Sequence, residues 1–358
     1  MGKIISFYNH KGGVGKTTLV YNLSFALADL GMKVLTVDAD PQMNLTSSMY
    51  GLSTSVEYSL KEGSRWQKYT SDYISIEEYL DKFLAENDTE QETLRKESRA
   101  ENGKYIDFIS GAIRLSKIEF DLYKNLTNPT RFTEMLPYRF EQSVREPAKE
   151  YDFVLIDLPP SATSIVNALY VMSCDYFIVP VSPTFFSLQA IDNLSEVVRS
   201  WSEILSPYRT TMGNKGLSFN PKFLGIVVQL AKRFASGARE YSKSTESWAQ
   251  DLNESIRKFV DFAAASSRSV TEKEFKRLFP KRTPFIIEKC CDFTPKLRSI
   301  AEKEGVPVIY LTDDICKKHD KQVNIKNKQT QYSKAFNSIG ASYREIAKNL
   351  TNLDKEFG

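Results

Sequence analysis

Residues 9–18, Asn-His-Lys-Gly-Gly-Val-Gly-Lys-Thr-Thr, follow the apolar run Lys3-Ile4-Ile5-Ser6-Phe7-Tyr8 and precede Leu19, Leu23, Ala26, Leu27 and Leu30 at helical spacing. A buried strand that runs into a glycine loop and then into a helix is the setting in which G-x-x-x-x-G-K-[ST]-like spacing cradles phosphate. Gly12, Gly13 and Gly15 let the backbone turn its N–H groups inward, with Val14 between them, and the helix start presents its positive end to the same point. Lys16 is placed to reach the β- and γ-phosphates, and Thr17, with Thr18 beside it, to hold Mg²⁺. Lys11 is a second ammonium ahead of the loop, which the ordinary motif lacks. Gly31 stops the helix, and Lys33–Asp38 reads as the next strand. The βαβ unit implies a parallel sheet with a right-handed crossover and a nucleoside-triphosphate site at its carboxyl edge.

Lys11-Gly-Gly-Val-Gly-Lys16-Thr17-Thr18 resembles the deviant Walker A motif of the ParA/MinD family of ATPases. The resemblance implies that Lys11 crosses a dimer interface to the partner's nucleotide. A charge supplied in trans to the β/γ bridge stabilises the negative charge that develops in phosphoryl transfer, and it makes hydrolysis conditional on dimerisation. Lys11, Lys16 and Asp40 are thereby the candidate catalytic residues. Asp38-Ala39-Asp40-Pro41-Gln42 is similar to the D-x-D-P-Q segment of the ParA branch. By that resemblance Asp40 positions or deprotonates the attacking water, while Asp38 tends the Mg²⁺ shell or the switch backbone, and Pro41 lies with them at the nucleotide. Carboxylates in alternation on a strand point to opposite faces, so the two should not share a task. Tyr151–Asp157 resembles Walker B, with Asp157 reaching Mg²⁺ through water because this ion dehydrates reluctantly. Leu158-Pro159-Pro160-Ser161 is similar to the family's switch segment, Val179-Pro180-Val181 to its V-P-V strand end, and Gly305-Val306-Pro307-Val308 to its G-x-P-V. Ile286-Ile287-Glu288-Lys289 stands where the family has I-P-R.

The expected fold class is α/β, a doubly wound and mostly parallel sheet of the P-loop NTPase type. Further strands are predicted at 105–111, 151–157, 176–181, 223–230, 284–287 and 306–310, with a closing helix near 335–353. One domain over residues 1–358 is expected, carrying helical insertions at about 52–104 and 232–282. Ile76, Tyr79, Leu80, Phe83 and Leu84 form an amphipathic stripe in the first insertion, before a polar run at 86–103. Trp248, Leu252, Ile256, Phe259 and Val260 form one in the second.

Hydrophobic residues make up 41% of the 358 and charged ones 26%, ordinary usage for a globular chain, and no apolar run approaches a membrane span. No signal-peptide pattern opens the chain, and no helix-turn-helix extension is expected ahead of the first strand. Cys174, Cys290, Cys291 and Cys316 form neither a disulfide framework nor a C-x-x-C pair, so buried or inert thiols and a cytoplasmic location are expected, and the ParA resemblance implies association with the nucleoid. With only His10 and His319, histidine-based chemistry is close to excluded. Net charge is +3, but residues 316–334 carry six lysines against one aspartate, and residues 268–282 carry six basic against two acidic residues. A locally basic C-terminal half suits a polyanion partner.

The leading expectation is therefore a ParA-like partition ATPase with ATP and Mg²⁺ as cofactors. It is a homodimer in the ATP state, binds non-specific DNA, and is released when a ParB-like partner stimulates hydrolysis. Lys317, Lys318, Lys321, Lys326 and Lys328 are the candidate DNA contacts. The alternative is a MinD-like membrane- or cargo-positioning ATPase. It needs a basic amphipathic C-terminal helix, whereas the stripe Ile346, Leu350, Leu353 and Phe357 lies in a stretch of balanced charge, so no membrane partner is expected. A small-molecule synthetase stays open as a third reading. An iron–sulfur reductase does not, because only Cys174 lies near the Walker B strand.

Overall fold

The computed structural model describes residues 1–50, 74–84, 99–101, 104–128, 130, 133–211, 220–231, 243–291 and 294–353. The first apolar run forms β1 (Lys3–Phe7), buried beyond its first residue, and the helix-spaced leucines form α1 (Lys16–Asp29). β2 (Val34–Asp38) is buried throughout. It leads into α2 (Asn44–Tyr50) and, further on, α3 (Ile76–Leu84). The short β3 (Arg99–Glu101) and β4 (Lys104–Ile109) precede two helices, α4 (Leu115–Thr127) and α5 (Leu136–Arg145). Then come β5 (Phe153–Asp157), α6 (Ile165–Ser173), β6 (Tyr176–Val181), α7 (Phe185–Asp192) and α8 (Leu194–Thr211). β7 (Lys222–Ala231), α9 (Lys243–Ala264), α10 (Glu272–Leu278) and β8 (Ile286–Cys291) follow. The chain continues through α11 (Pro295–Glu304), α12 (Asp313–His319) and α13 (Gln331–Leu350).

The sheet runs β3-β4-β2-β5-β1-β6-β7-β8, with seven strands parallel and the edge strand β3 antiparallel to β4. Near-continuous apolar strands are what a parallel sheet covered on both faces requires. α1 leaves β1 toward β2, whereas α6 leaves β5 toward β6, the opposite way across the sheet. Right-handed crossovers then put the two helices on opposite faces. Their neighbours agree: α1 packs with α2 and α13, and α6 with α4, α5 and α8. The direction of winding thus reverses around β1 and β5, and the crevice beyond their carboxyl ends is the place for a ligand. Register aligns three strand ends there, because Phe7 pairs with Asp157 and Asp157 with Asp38.

Both amphipathic stripes are real. Ile76, Tyr79 and Leu80 are buried, with α3 packed on α5, and Trp248, Leu252, Ile256 and Phe259 are buried on α9. Phe259 meets Phe177 and Phe223 edge-on. Residues 51–73, most of the polar run at 86–103, and 232–242 lie outside the described residues. β3 is a departure from the helical reading of 52–104. Residues 306–310 form no strand; Pro307, lacking an N–H for a ladder, caps a 3₁₀ turn at Val308–Tyr310. That turn is tied to α1 by Tyr310 Oη donating to Asp29 Oδ1 at 2.7 Å, and Tyr21 Oη donates to the Gly305 carbonyl at 2.9 Å. Ile346, Leu350 and Leu353 are buried in the core rather than presented as a face, while Phe357 lies outside the described residues. All four cysteines are buried thiols outside any disulfide. Among the described residues no helix is long and apolar enough to cross a membrane.

Candidate functional site

The loop between β1 and α1 is held open by its own backbone. Gly13 and Gly15 have φ of 72° and 84°, and Gly15 N-caps α1 without a side-chain cap, leaving the first helical N–H groups directed at the cleft. Gly15 must be glycine on two counts, since a Cβ there would also lie 3.3 Å from Gln229 Cβ and Cγ. Asn9 anchors the loop: its Nδ2 donates to the Pro180 carbonyl at 2.8 Å, and its Oδ1 accepts from Lys11 N at 2.9 Å. Lys16 is 7% exposed, and its Nζ donates to the carbonyls of Asn9 and Lys11 at 3.0 and 3.3 Å. Burial lowers its pKa, against the pull of the Asp157 and Asp40 carboxylates. His10 is a loop residue whose pKa burial and the Lys16 charge hold down.

Three carboxylates converge on this loop. Thr17 Oγ1 donates to Asp157 Oδ2 at 2.7 Å, while Asp157 Oδ1 is buried without a hydrogen-bond partner. Burial, reinforced by the Asp38 charge, pushes Asp157 up to about 8. A hydroxyl beside an orphaned, buried carboxylate oxygen is a donor set that fits a hard divalent cation such as Mg²⁺. Asp38 is fully buried and pushed up to about 6 by that burial. Its Oδ2 accepts from Thr46 N and Oγ1 at 2.8 and 2.7 Å, and its Oδ1 accepts from Asp40 N at 3.1 Å. Asp40 Oδ1 accepts from Gln42 N at 2.9 Å. The two aspartates occupy different layers: Asp40 lines the cleft, and Asp38 stands behind it as an anchor for α2.

The cleft measures about 410 Å³, within the range of ligand sites. Gly12, Gly13, Val14, Gly15, Lys16, Thr17, Thr18 and Asp40 line it, joined by Asn44, Ser47 and Ser48 of α2 and by Pro160. Lys11, Asp38, Pro41 and Asp157 are not part of that lining. Gln229 and Leu230 at the end of β7, with Gln229 against Gly15, and Arg298 and Glu302 of α11 complete the lining. Gln229 is 1% exposed with its Nε2 unpartnered, and Leu230 takes a left-handed φ of 57°. Sequence reasoning missed this part of the lining; its one available signal was the i,i+4 spacing of Arg298 and Glu302 on a helix opened by Thr294-Pro295.

All five candidate DNA-contacting lysines are exposed, and two of them have an acidic partner. Lys317 pairs with Asp313 at 2.5 Å and Lys318 with Glu304 at 2.9 Å. Lys321, Lys326 and Lys328 are exposed on the loop between α12 and α13.

A family model described as an AAA domain matches residues 2–208. The sporulation initiation inhibitor protein Soj of Bacillus subtilis is 30% identical over 200 residues, covering 56% of this chain and 66% of Soj. The chromosome partitioning protein ParA of Caulobacter vibrioides is 29% identical over 206 residues, covering 57% and 65%. The matched stretch thus spans about two-thirds of these relatives' own length. The solved structure of pNOB8 ParA superposes with a TM-score of 0.59 at 19% identity, over 98% of this chain and 99% of that one. Apo McdA from Cyanothece gives 0.56 at 15%, over 96% and 99%. At these identities the structural likeness is one of fold, and it agrees with the family match and the loop geometry: the chain belongs to the ParA/Soj-like family of partitioning ATPases, nucleotide hydrolases built on the AAA domain.

Proposed function

We propose that this chain is an ATP-driven DNA-partitioning switch. Bound ATP joins two copies face to face, the pair holds DNA without sequence preference, and hydrolysis stimulated by a ParB-like partner releases it. The observation that carries this reading is the placement of the two loop lysines. Lys16 lines its own phosphate cleft and is buried in it, whereas Lys11 stands outside that cleft at its rim. A cation so placed serves a phosphate that a second copy brings to it, which makes hydrolysis conditional on pairing.

Within one protomer the backbone N–H groups of residues 12–17 and the Lys16 ammonium bind the phosphates. Gln229, beside Gly15, and Leu230, Arg298 and Glu302 complete the enclosure of the same cleft. Asp40 is the carboxylate that orients the attacking water, and Asp38 fixes the backbone that carries it. Thr17 and Asp157 would hold Mg²⁺, which neutralises charge on the phosphate oxygens when bound. Exposed Lys321, Lys326 and Lys328 offer a surface for a phosphate backbone. Among proteins of the same fold, pNOB8 ParA has been solved bound to nonspecific DNA and a McdA variant in complex with ATP, which suits a reading that needs both ligands.

The test is binding of the full chain to random-sequence duplex DNA with no nucleotide, with ADP and with ATP, in wild type and Asp40→Ala. ATP-dependent binding that Asp40→Ala prolongs is the expected result. No binding under any nucleotide overturns the partition mechanism.

A further inference from the structure

Lys11 is held by its own protomer. Its Nζ donates to Thr184 Oγ1 at 2.7 Å and stands 5.1 Å from the centroid of the Phe186 ring. Both partners belong to the turn that leaves β6 and opens α7. Thr184 is the N-cap residue of α7, where a threonine hydroxyl ordinarily accepts from the first helical N–H groups. Here no side-chain cap bond forms. The hydroxyl is turned to Lys11 instead, with Ser187 Oγ 3.2 Å away. The Thr184 carbonyl accepts from Ser187 N at 3.0 Å and from the indole N–H of Trp248 at 2.9 Å. Trp248 is buried on α9, a helix beyond the family match, so Thr184 is fixed from both sides. Phe186 is 66% exposed and offers its ring face to the ammonium from the solvent side.

We propose that Thr184 and Phe186 form a perch that holds Lys11 over its own protomer, and that Lys11 must leave this perch to act on a partner's nucleotide. The inference rests on the trans-acting reading of Lys11 given above. Thr184 and Phe186 are then positioning residues: they set the protein concentration at which ATP turnover switches on, without entering the reaction. Trp248, by fixing the Thr184 backbone, ties that threshold to α9. A charged hydrogen bond and a cation–π contact at a partly exposed site bias such an equilibrium modestly, by about three- to tenfold.

The experiment is steady-state ATP turnover per protomer as a function of protein concentration, in wild type, Thr184→Val, Thr184→Ser, Phe186→Leu and Lys11→Ala. Valine keeps the threonine shape and removes only the hydroxyl, which caps nothing. Phe186→Leu tests the perch independently from an exposed position that the fold does not need. Thr184→Val and Phe186→Leu should each reach half-maximal turnover at about three- to tenfold lower protein concentration with the plateau unchanged. Thr184→Ser should restore the wild-type curve. If both variants superimpose on wild type while Lys11→Ala abolishes the concentration-dependent rise, the perch is refuted and the trans-acting lysine stands. If wild-type turnover is independent of concentration and Lys11→Ala retains it, the trans-acting reading falls, and the perch with it.

Discussion

Asp38 accepts through both carboxylate oxygens, from Thr46 on one side and from the Asp40 backbone on the other. Replacing it by asparagine leaves no satisfactory rotamer, because either orientation of the amide sets an NH₂ against an N–H donor. In a fully buried site such a clash costs about 1–3 kcal/mol. Asp38→Asn should therefore lower the urea midpoint of unfolding without nucleotide, and a midpoint equal to wild type would remove its anchoring role. This is a role that sequence could only bracket. The loop glycines, Lys16 and Thr17 are contiguous, and Asp157 ends an apolar strand, so the phosphate end of the site was legible directly. Asp38 was legible as an acid at a strand end, but its partner Thr46 lies on the next helix and carries no motif. Gln229, Arg298 and Glu302 lie more than 200 residues from the glycine loop, and only the winding of the sheet brings them to it.

The helix and loop that follow α11 show how an element sorts charges that look alike in sequence. Six lysines in residues 316–334 read as one basic run. In the folded element Asp313, at the start of α12, accepts from Ile325 N at 3.0 Å and pairs with Lys317, which ties the loop down at its middle. Lys318 shares Glu304 with His319. Lys317 and Lys318 are exposed with an acid beside each that offsets their charge, whereas Lys321, Lys326 and Lys328 are exposed on the loop that follows. If that loop meets DNA, each lysine lost from a phosphate contact lowers the slope of log K against log salt by about 0.9. Replacing Lys321, Lys326 and Lys328 together by glutamine should flatten the slope by roughly 2 to 3, whereas Lys318→Gln should leave it within about 0.3 of wild type. Equal slopes in the triple variant and wild type would place the DNA surface elsewhere, with the exposed Lys273 and Lys281 next to be tested. Periodicity identified α3, α9 and α13 because each buries a regular stripe. It failed at 306–310, where a β-rich composition was overruled by Pro307 and by packing on α1.

At the scale of the whole molecule the family match and the sheet do not end together. The match stops at residue 208, and β7, β8, α11 and α13 come later. β7 pairs along the whole of β6, the end of β7 forms part of the cleft wall, and α13 packs on α1 and β8. A chain ending at 208 would keep every residue of the phosphate motif, yet it would expose the edge of β6 and uncover one flank of α1. An unpaired apolar strand edge is a template for aggregation, and a sheet covered on one side only loses the burial that drives its folding. Such a fragment should show no cooperative thermal transition and no ATP binding by calorimetry, although it carries Lys11, Lys16, Asp40 and Asp157. Should it fold and bind ATP with the affinity of the full chain, then Gln229, Arg298 and Glu302 contribute nothing to the nucleotide site, and the C-terminal strands are an addition to a sheet that is already self-sufficient. The motif states which chemistry is present. Whether the chemistry is assembled depends on the 150 residues after 208, and this cut separates the two.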